Sequence, residues 1–484
     1  MKKFLALLLA LTFCVSVVAC ASDGKDAIIT TTAATTINQA AEPEPEPLLA
    51  GFAERDFTPT EMGGIMPGST GTPAAYGVEM PLLANAAAFT SGDTSVILIS
   101  MDMLSFHEEY GNAIRKRINE ATGVPEKNIM IAATHSHTSI AVEYQVWLVE
   151  PDEKTSGHAA DMAVEAAIAA YENREEAKMG FKSIRNSTYN FCRDGMTEAG
   201  DIKTWYAGVT QATTPDSNIN VMRVDDTSGD IKCFIVNYAN HPDTYSNKIR
   251  YSSDYPGYLR EALKKEFGED VTVLYFNGTE GDINFVDYKN KTHTEYHGGT
   301  NNTAKNIGEG IAKSVIQVNR HIRTDDTCPA IESISKTYTT ARRLPTAKEF
   351  EWAANAINSA SGLDKCFAVE YTTEDYSTLG NTYDIEIHTI RIGEWAMVGL
   401  PGEIYTDIGR AIKADSPYEL TSVVSLANGT HGYITPDKYL DTSCYPARVS
   451  KYNAYSGYGT ADILINNSLA QLNQMKSGGS ASSK

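Results

Sequence analysis

Apolar and polar positions recur along this chain in one order: a short apolar run, a polar turn, then a stretch with helical spacing. Residues 95–104 (SVILISMDML) are rich in β-branched side chains and predict a strand. Residues 107–122 follow with Ile114, Ile118 and Ala121 on one helical face and Gly123 as the stop. Residues 128–133 (NIMIAA) predict the next strand, which completes a βαβ unit and runs straight into Thr134-His135-Ser136-His137. The order returns further on. Residues 231–239 (IKCFIVNYA) predict a buried strand ending at Asn240-His241-Pro242, and Asp254 is read as the cap of a helix with Pro256 in its first turn. Leu259, Leu263 and Phe267 lie on one face of that helix, and residues 271–276 form a strand leading into Gly278-Thr279-Glu280-Gly281-Asp282. Residues 395–400 lead into Pro401-Gly402-Glu403, and residues 422–426 lead towards Gly432-Tyr433. The pattern predicts an α/β fold: one large domain, residues 49–475, with a mixed central sheet flanked by helices.

His135, His241, Glu403 and Tyr433 therefore each stand just past the carboxyl end of an apolar strand, the edge where α/β sheets form ligand crevices. The expectation is that they converge at one sheet edge. Singly, each signal is weak. Residues two apart on extended backbone point the same way, so His135 and His137 can face one cleft, and neutral imidazole is a good zinc ligand. A histidine before proline is commonly a turn residue, and an acid at a helix start is commonly there for the helix dipole. Tyr433 is one of 26 tyrosines. The Gly278–Asp282 turn lacks the Lys-Ser/Thr ending of a phosphate loop and reads as a tight turn on the substrate side.

The ends of the chain bear on location. Lys2 and Lys3 precede an apolar run to Ala19, a signal-peptide pattern too short for a transmembrane span. It closes on Val17-Val18-Ala19-Cys20, which resembles a bacterial lipobox with Cys20 as the lipidation site. That implies a secreted protein held by its lipid on the outer face of the bacterial cell membrane. Residues 21–48, Thr/Ala-rich and then Glu-Pro repeats, read as a disordered tether, and the Gly/Ser-rich residues 476–484 as a disordered tail.

The 484 residues carry a formal charge of −20, and loss of Lys2 and Lys3 with residues 1–20 makes it −22. Such an acidic surface argues against nucleic acid as a partner. Of seven cysteines, five remain after Cys14 and Cys20 are set aside. They are scattered without CxxC spacing, so a cysteine metal site is not expected and one or two disulfides stay open.

Taken in order, ERDFTPTEMGG, VILISMDML, NIMIAATHSHTS, NFCRDG, NYANHPDTYS, YSSDYPG, LYFNGTEGDIN, VGLPGE and ANGTHGYITPDKY with the following CY resemble the neutral/alkaline, non-lysosomal ceramidases from Gly51 to about Asn467. The resemblance implies a zinc amidohydrolase that cleaves the amide of an N-acyl lipid, ceramide or a relative, with metal-activated water. It implies His135, His241, Glu403 and Tyr433 as zinc ligands, and His137, Arg193 and Tyr445 as residues that hydrogen-bond the reacting group. It places Asp282 and Asn284 in the substrate segment. Asn284 departs from the family, which carries serine there, and Thr138-Ser139-Ile140 replaces the family's Ser-Gly-Pro-Gly-Gly. The chain also stops where ceramidases continue into an immunoglobulin-like domain. Two further readings follow: a surface lipoprotein that captures a solute, and a family member that is inactive or acts on another substrate.

Overall fold

Alternation along the strands decides the layers. The computed structural model describes residues 46–68, 74–144, 148–208, 210–245, 249–289 and 301–481. The segments read as signal peptide and tether, with Cys20, lie outside them up to residue 45. The larger sheet holds β1 (Leu49–Asp56), β2 (Leu83–Ser91), β3 (Thr94–Met101), β4 (Ile129–Ala133), β5 (Glu175–Arg185), β6 (Asn218–Asp226), β7 (Ile231–Tyr238) and β8 (Thr272–Asn277). Its order is β8-β7-β6-β5-β1-β2-β3-β4. A second sheet runs β9 (Ile331–Ala341), β10 (Thr382–Ile392), β11 (Trp395–Gly399) and β12 (Leu420–Val424) in sequence order.

The β3–β4, β7–β8 and β11–β12 pairs are parallel, and the other neighbours in these sheets are antiparallel. A parallel pair needs a crossover. The crossovers contain α1 (Glu108–Thr122), α3 (Asp254–Phe267) and α7 (Thr406–Asp415) respectively, so three βαβ units make up the frame. His107 caps α1 by accepting from the Tyr110 N–H, and Gly123 ends it at φ 74°. Asp254, read from sequence as the cap of α3, is instead its first residue, behind Ser253.

Phe89, Leu98, Ile235 and Phe276 on one face of the larger sheet share a core with Ile390, Trp395, Met397 and Val424 of the second. Side chains one position along point the other way. Ala86, Ala88, Ile97 and Ile99 meet α1 and α2 (Glu153–Glu172). Phe234, Val236 and Val273 meet α3 and α4 (Asn301–Asn319). Ile385, Ile387 and Val398 meet α7 and α8 (Thr460–Ala481), while α5 (Ala347–Ala356) and α6 (Gly362–Thr373) fall between β9 and β10 in the chain. The fold is thus a mixed α/β domain: two sheets face to face, with helices outside. Leu48 is fully buried and bonded to the Thr327 carbonyl, so the core begins one residue before β1. At the other end α8 extends to Ala481, through most of the segment read as a tail; residues 482–484 lie outside the described ones.

β8 and β4 are opposite edges of the larger sheet, yet they meet. Ser100 on β3 donates to the Tyr275 carbonyl on β8, and Asn277 donates to the Thr134 carbonyl just past β4. The twist of a many-stranded sheet has here become a curl. Asn237 on β7 donates to the Val423 carbonyl, and the Asn428 side chain accepts from the Ile131 N–H. These buried amides lash the second sheet across the gap. The carboxyl ends of β4, β7, β11 and β12 are brought together.

Candidate metal centre

His135 sits two residues past β4 at φ 73°, a left-handed conformation uncommon outside glycine. Its N–H bonds the Met103 carbonyl at 2.9 Å and its Nδ1 the Leu104 carbonyl at 2.9 Å, so neighbouring backbone holds the bent chain in place. His241 follows β7 and its Nδ1 lies 3.3 Å from the Glu280 carbonyl. His137 has its Nδ1 3.3 Å from the Gly68 carbonyl and 3.6 Å from the Asp243 carboxylate. A carbonyl only accepts, so each Nδ1 carries the proton and each Nε2 presents a lone pair. Those lone pairs face one another, at 3.0 Å between His135 and His241 and 3.2 Å between His135 and His137.

Glu403 and Tyr433 enter from the second sheet. Two short parallel strands, Glu403–Ile404 and Tyr433–Ile434, place these residues opposite each other in register. The Glu403 carboxylate lies 3.4 Å from His135 Nε2 and 3.6 Å from His241 Nε2. Ligands about 2.0–2.1 Å from a tetrahedral zinc stand ~3.4 Å apart. The spacings found, 3.0, 3.4 and 3.6 Å, bracket that edge. Lone pairs meeting without a proton between them are what a cation relieves. The buried group of His135, His137 and His241 can hold a metal ion, and Glu403 stands within reach of two of the three. The Glu403 and Glu280 carboxylates outweigh burial and raise the His135 pKa.

Gly281 permits this approach. Its N–H bonds the Ile404 carbonyl, and a Cβ there would stand 2.5 Å from the Glu403 carbonyl oxygen. Gly432, at φ 68°, leaves no room either: a Cβ would lie 2.0 Å from the Asn453 carbonyl.

Arg193 is buried and donates to the Tyr433 phenol at 2.8 Å and to the Gly281 carbonyl at 2.7 Å. Burial opposes its charge, but Tyr433 and Glu403 hold the guanidinium charged, its pKa well above the usual value. Burial raises the Tyr433 and Tyr445 phenols, and Arg193 opposes that rise at both. The two rings pack edge to face at 5.6 Å. These residues, with Asn284, line a cavity of about 380 Å³ over the histidines, walled by Trp205, Phe285, Tyr288 and Tyr452.

The structure thus gathers His135, His137, His241, Glu403, Tyr433, Arg193, Tyr445 and Asn284 from short strands and loops beyond both large sheets, and not from one sheet edge. Asp282 stands apart. It was read as a substrate contact, but its fully buried carboxylate accepts from the Thr406 N–H and hydroxyl at 2.9 and 2.8 Å, and its carbonyl accepts from the Arg193 N–H. It supports the start of α7 and does not line the cavity. Two acids were missed. Glu143 lines the cavity, with Ser105 donating to it; burial pushes its carboxyl up to about 7. Glu280 is fully buried beside His241, and burial, countered by His135, pushes it up to about 8. The available signals are an acid directly after the apolar run Ile140-Ala141-Val142 and one in a turn at a strand end.

The five cysteines from Cys192 to Cys444 are free thiols, four of them buried. Among the described residues no helix is long and apolar enough to cross a membrane.

No family model matches the chain, and no curated protein matches it by sequence. Solved structures do. The neutral ceramidase of Pseudomonas aeruginosa superposes with a TM-score of 0.68 at 15% identity, covering 89% of this chain and 75% of that one. A ceramidase complexed with C2 superposes at 0.67 and 14% identity, covering 88% of this chain and 74% of that one. With identities this low the likeness is one of backbone, and over most of its length this chain has the neutral ceramidase fold.

Proposed function

We propose that this chain is a zinc-dependent hydrolase of a linear amide bond in an N-acyl lipid, ceramide or a relative, working outside the cell from a lipid anchor at Cys20. The observation that carries the reading is the convergence of three imidazole lone pairs and the Glu403 carboxylate on one buried point. The fold shared with ceramidases supports the reaction class. His135, His241, Glu403 and Tyr433 would hold the ion, a nitrogen and oxygen donor set suited to zinc. When bound, zinc lowers the pKa of a water to about 7 and polarises the amide carbonyl.

The chain's own residues do the rest. Arg193 donates to the Tyr433 oxygen and so favours its ionised form, which makes a phenol a usable donor. Tyr445, kept protonated by burial, donates a hydrogen bond where negative charge develops on the carbonyl oxygen. His137, at the cavity wall, would take up on its Nε2 lone pair the proton that the attacking water gives up, and pass it to the leaving amine. The aromatic walls keep bulk water from these groups. Asn284 on the cavity wall, at the position where the resemblance leads one to expect serine, favours a relative of ceramide over ceramide itself.

The test is metal content and turnover together. The purified protein should hold one equivalent of zinc by mass spectrometry and cleave members of an N-acyl amide panel. His241→Ala should lose both. Full activity in a metal-free preparation would refute the reading.

A further inference from the structure

The cavity wall carries a carboxylate that the metal chemistry does not use. Glu143 lies on the segment after His137, where Ser105 donates to one of its oxygens. Among the described residues its second oxygen makes no hydrogen bond, and no lysine or arginine lies within ion-pair distance. The other charged groups of the cavity have partners: Glu403 faces the imidazoles, Asp243 faces His137, and Arg193 is held by Tyr433 and the Gly281 carbonyl. The ring of Tyr452 lines the same cavity, tilted by 56° against Tyr144 at 4.8 Å and already facing the Lys451 ammonium at 5.3 Å, so the carboxylate and not this ring is the vacant partner. A cavity-lining carboxylate with one oxygen unbonded and no lysine or arginine in ion-pair distance is a setting that receives an ammonium group.

We propose that Glu143 is a specificity-determining residue which selects substrates carrying a protonated amine close to the scissile amide. This rests on the amide-hydrolase reading for its chemistry and on the cavity wall for its selectivity. Ser105 fixes the carboxylate so that little side-chain freedom is lost when the ammonium arrives. Burial resists ionisation of this carboxyl, and a cation seated against it removes that resistance.

Two probes of equal length separate the possibilities: N-octanoyl-ethylenediamine, with an ammonium two carbons from the amide, and N-octanoyl-ethanolamine, with a hydroxyl there. The zinc-loaded protein should favour the ammonium probe by about tenfold or more in kcat/KM. Calorimetric binding to metal-free protein, where nothing turns over, should show a preference of the same sign. Glu143→Gln should bring both ratios close to unity. Equal binding and equal turnover of the two probes by the wild-type protein would overturn the proposal with no variant needed, and so would a folded Glu143→Gln protein that keeps the preference. If neither probe is cleaved but the binding preference holds and Glu143→Gln abolishes it, the hydrolase reading fails while the ammonium site stands.

Discussion

Gly281→Ala should separate the position of Glu403 from its chemistry. The new Cβ would stand 2.5 Å from the Glu403 carbonyl oxygen and 2.9 Å from a ring carbon of Tyr405, the residue just past the strand that carries Glu403. Ordinary contact begins near 3.4 Å and the shortest tolerated contact near 3.0 Å, so that strand must retreat by roughly 0.5 to 0.9 Å. Functional groups work within about 0.5 Å of their proper place. Glu403 lies 3.4 and 3.6 Å from the two imidazoles, and that retreat moves its carboxylate out of the common sphere. Over-packing of this kind costs about 1–3 kcal/mol of stability. The variant should therefore melt a few degrees lower and bind zinc at least about tenfold more weakly, since even indirect supports of a metal site are worth 10–100-fold. Differential scanning calorimetry and competition with a chromophoric chelator read the two effects. Wild-type melting with wild-type zinc affinity would show that the strand yields freely and would end the argument.

Three more expectations follow from buried groups. Arg260 donates through both terminal nitrogens to Asp102, which is fully buried at the end of β3; Arg260→Met should cost about 3–5 kcal/mol in chemical denaturation, and adding Asp102→Asn should restore more than half. An unchanged midpoint for the single variant would contradict this. Burial pushes Asp254 up from 3.8 to about 7, so its folded state keeps a proton that the unfolded chain gives up. Its contribution to stability is full below about 3.8 and is lost as pH rises to about 7; Asp254→Asn should therefore gain on the wild type across that window, and a constant difference would refute the assignment. Arg193→Met removes the donor to the Tyr433 phenol and should weaken zinc binding by about 10–100-fold in the chelator assay, an equal affinity being the contrary result.

Two of the three βαβ units were legible because each pairs an apolar run with a helical stripe, such as Ile114 and Ile118 on α1; of the third only the two strands were read. So were the residues at their carboxyl ends, since a polar side chain just past a buried strand has few other places to go. What sequence did not carry was the meeting of β4 with β8 and of one sheet with the other. That meeting depends on Ser100, Asn237, Asn277 and Asn428, single polar residues whose partners across the gap lie 143 to 297 positions away. Asp282 looked like a substrate contact because local pattern cannot tell a buried acceptor from one on a cavity wall. Glu143 was passed over because an acid directly after a short apolar run is ordinarily a surface residue.

The curl of the larger sheet has a mechanical side. His135 and His241 belong to one half of the molecule, Glu403 and Tyr433 to the other. An ion seated among them is a rivet through both plates. Prying the plates apart then means breaking coordination first, so a chelator added at the cavity should loosen strands far from it. Amide protons in β1 and β10, which share no residue with the cavity, should exchange faster together once the rivet is drawn.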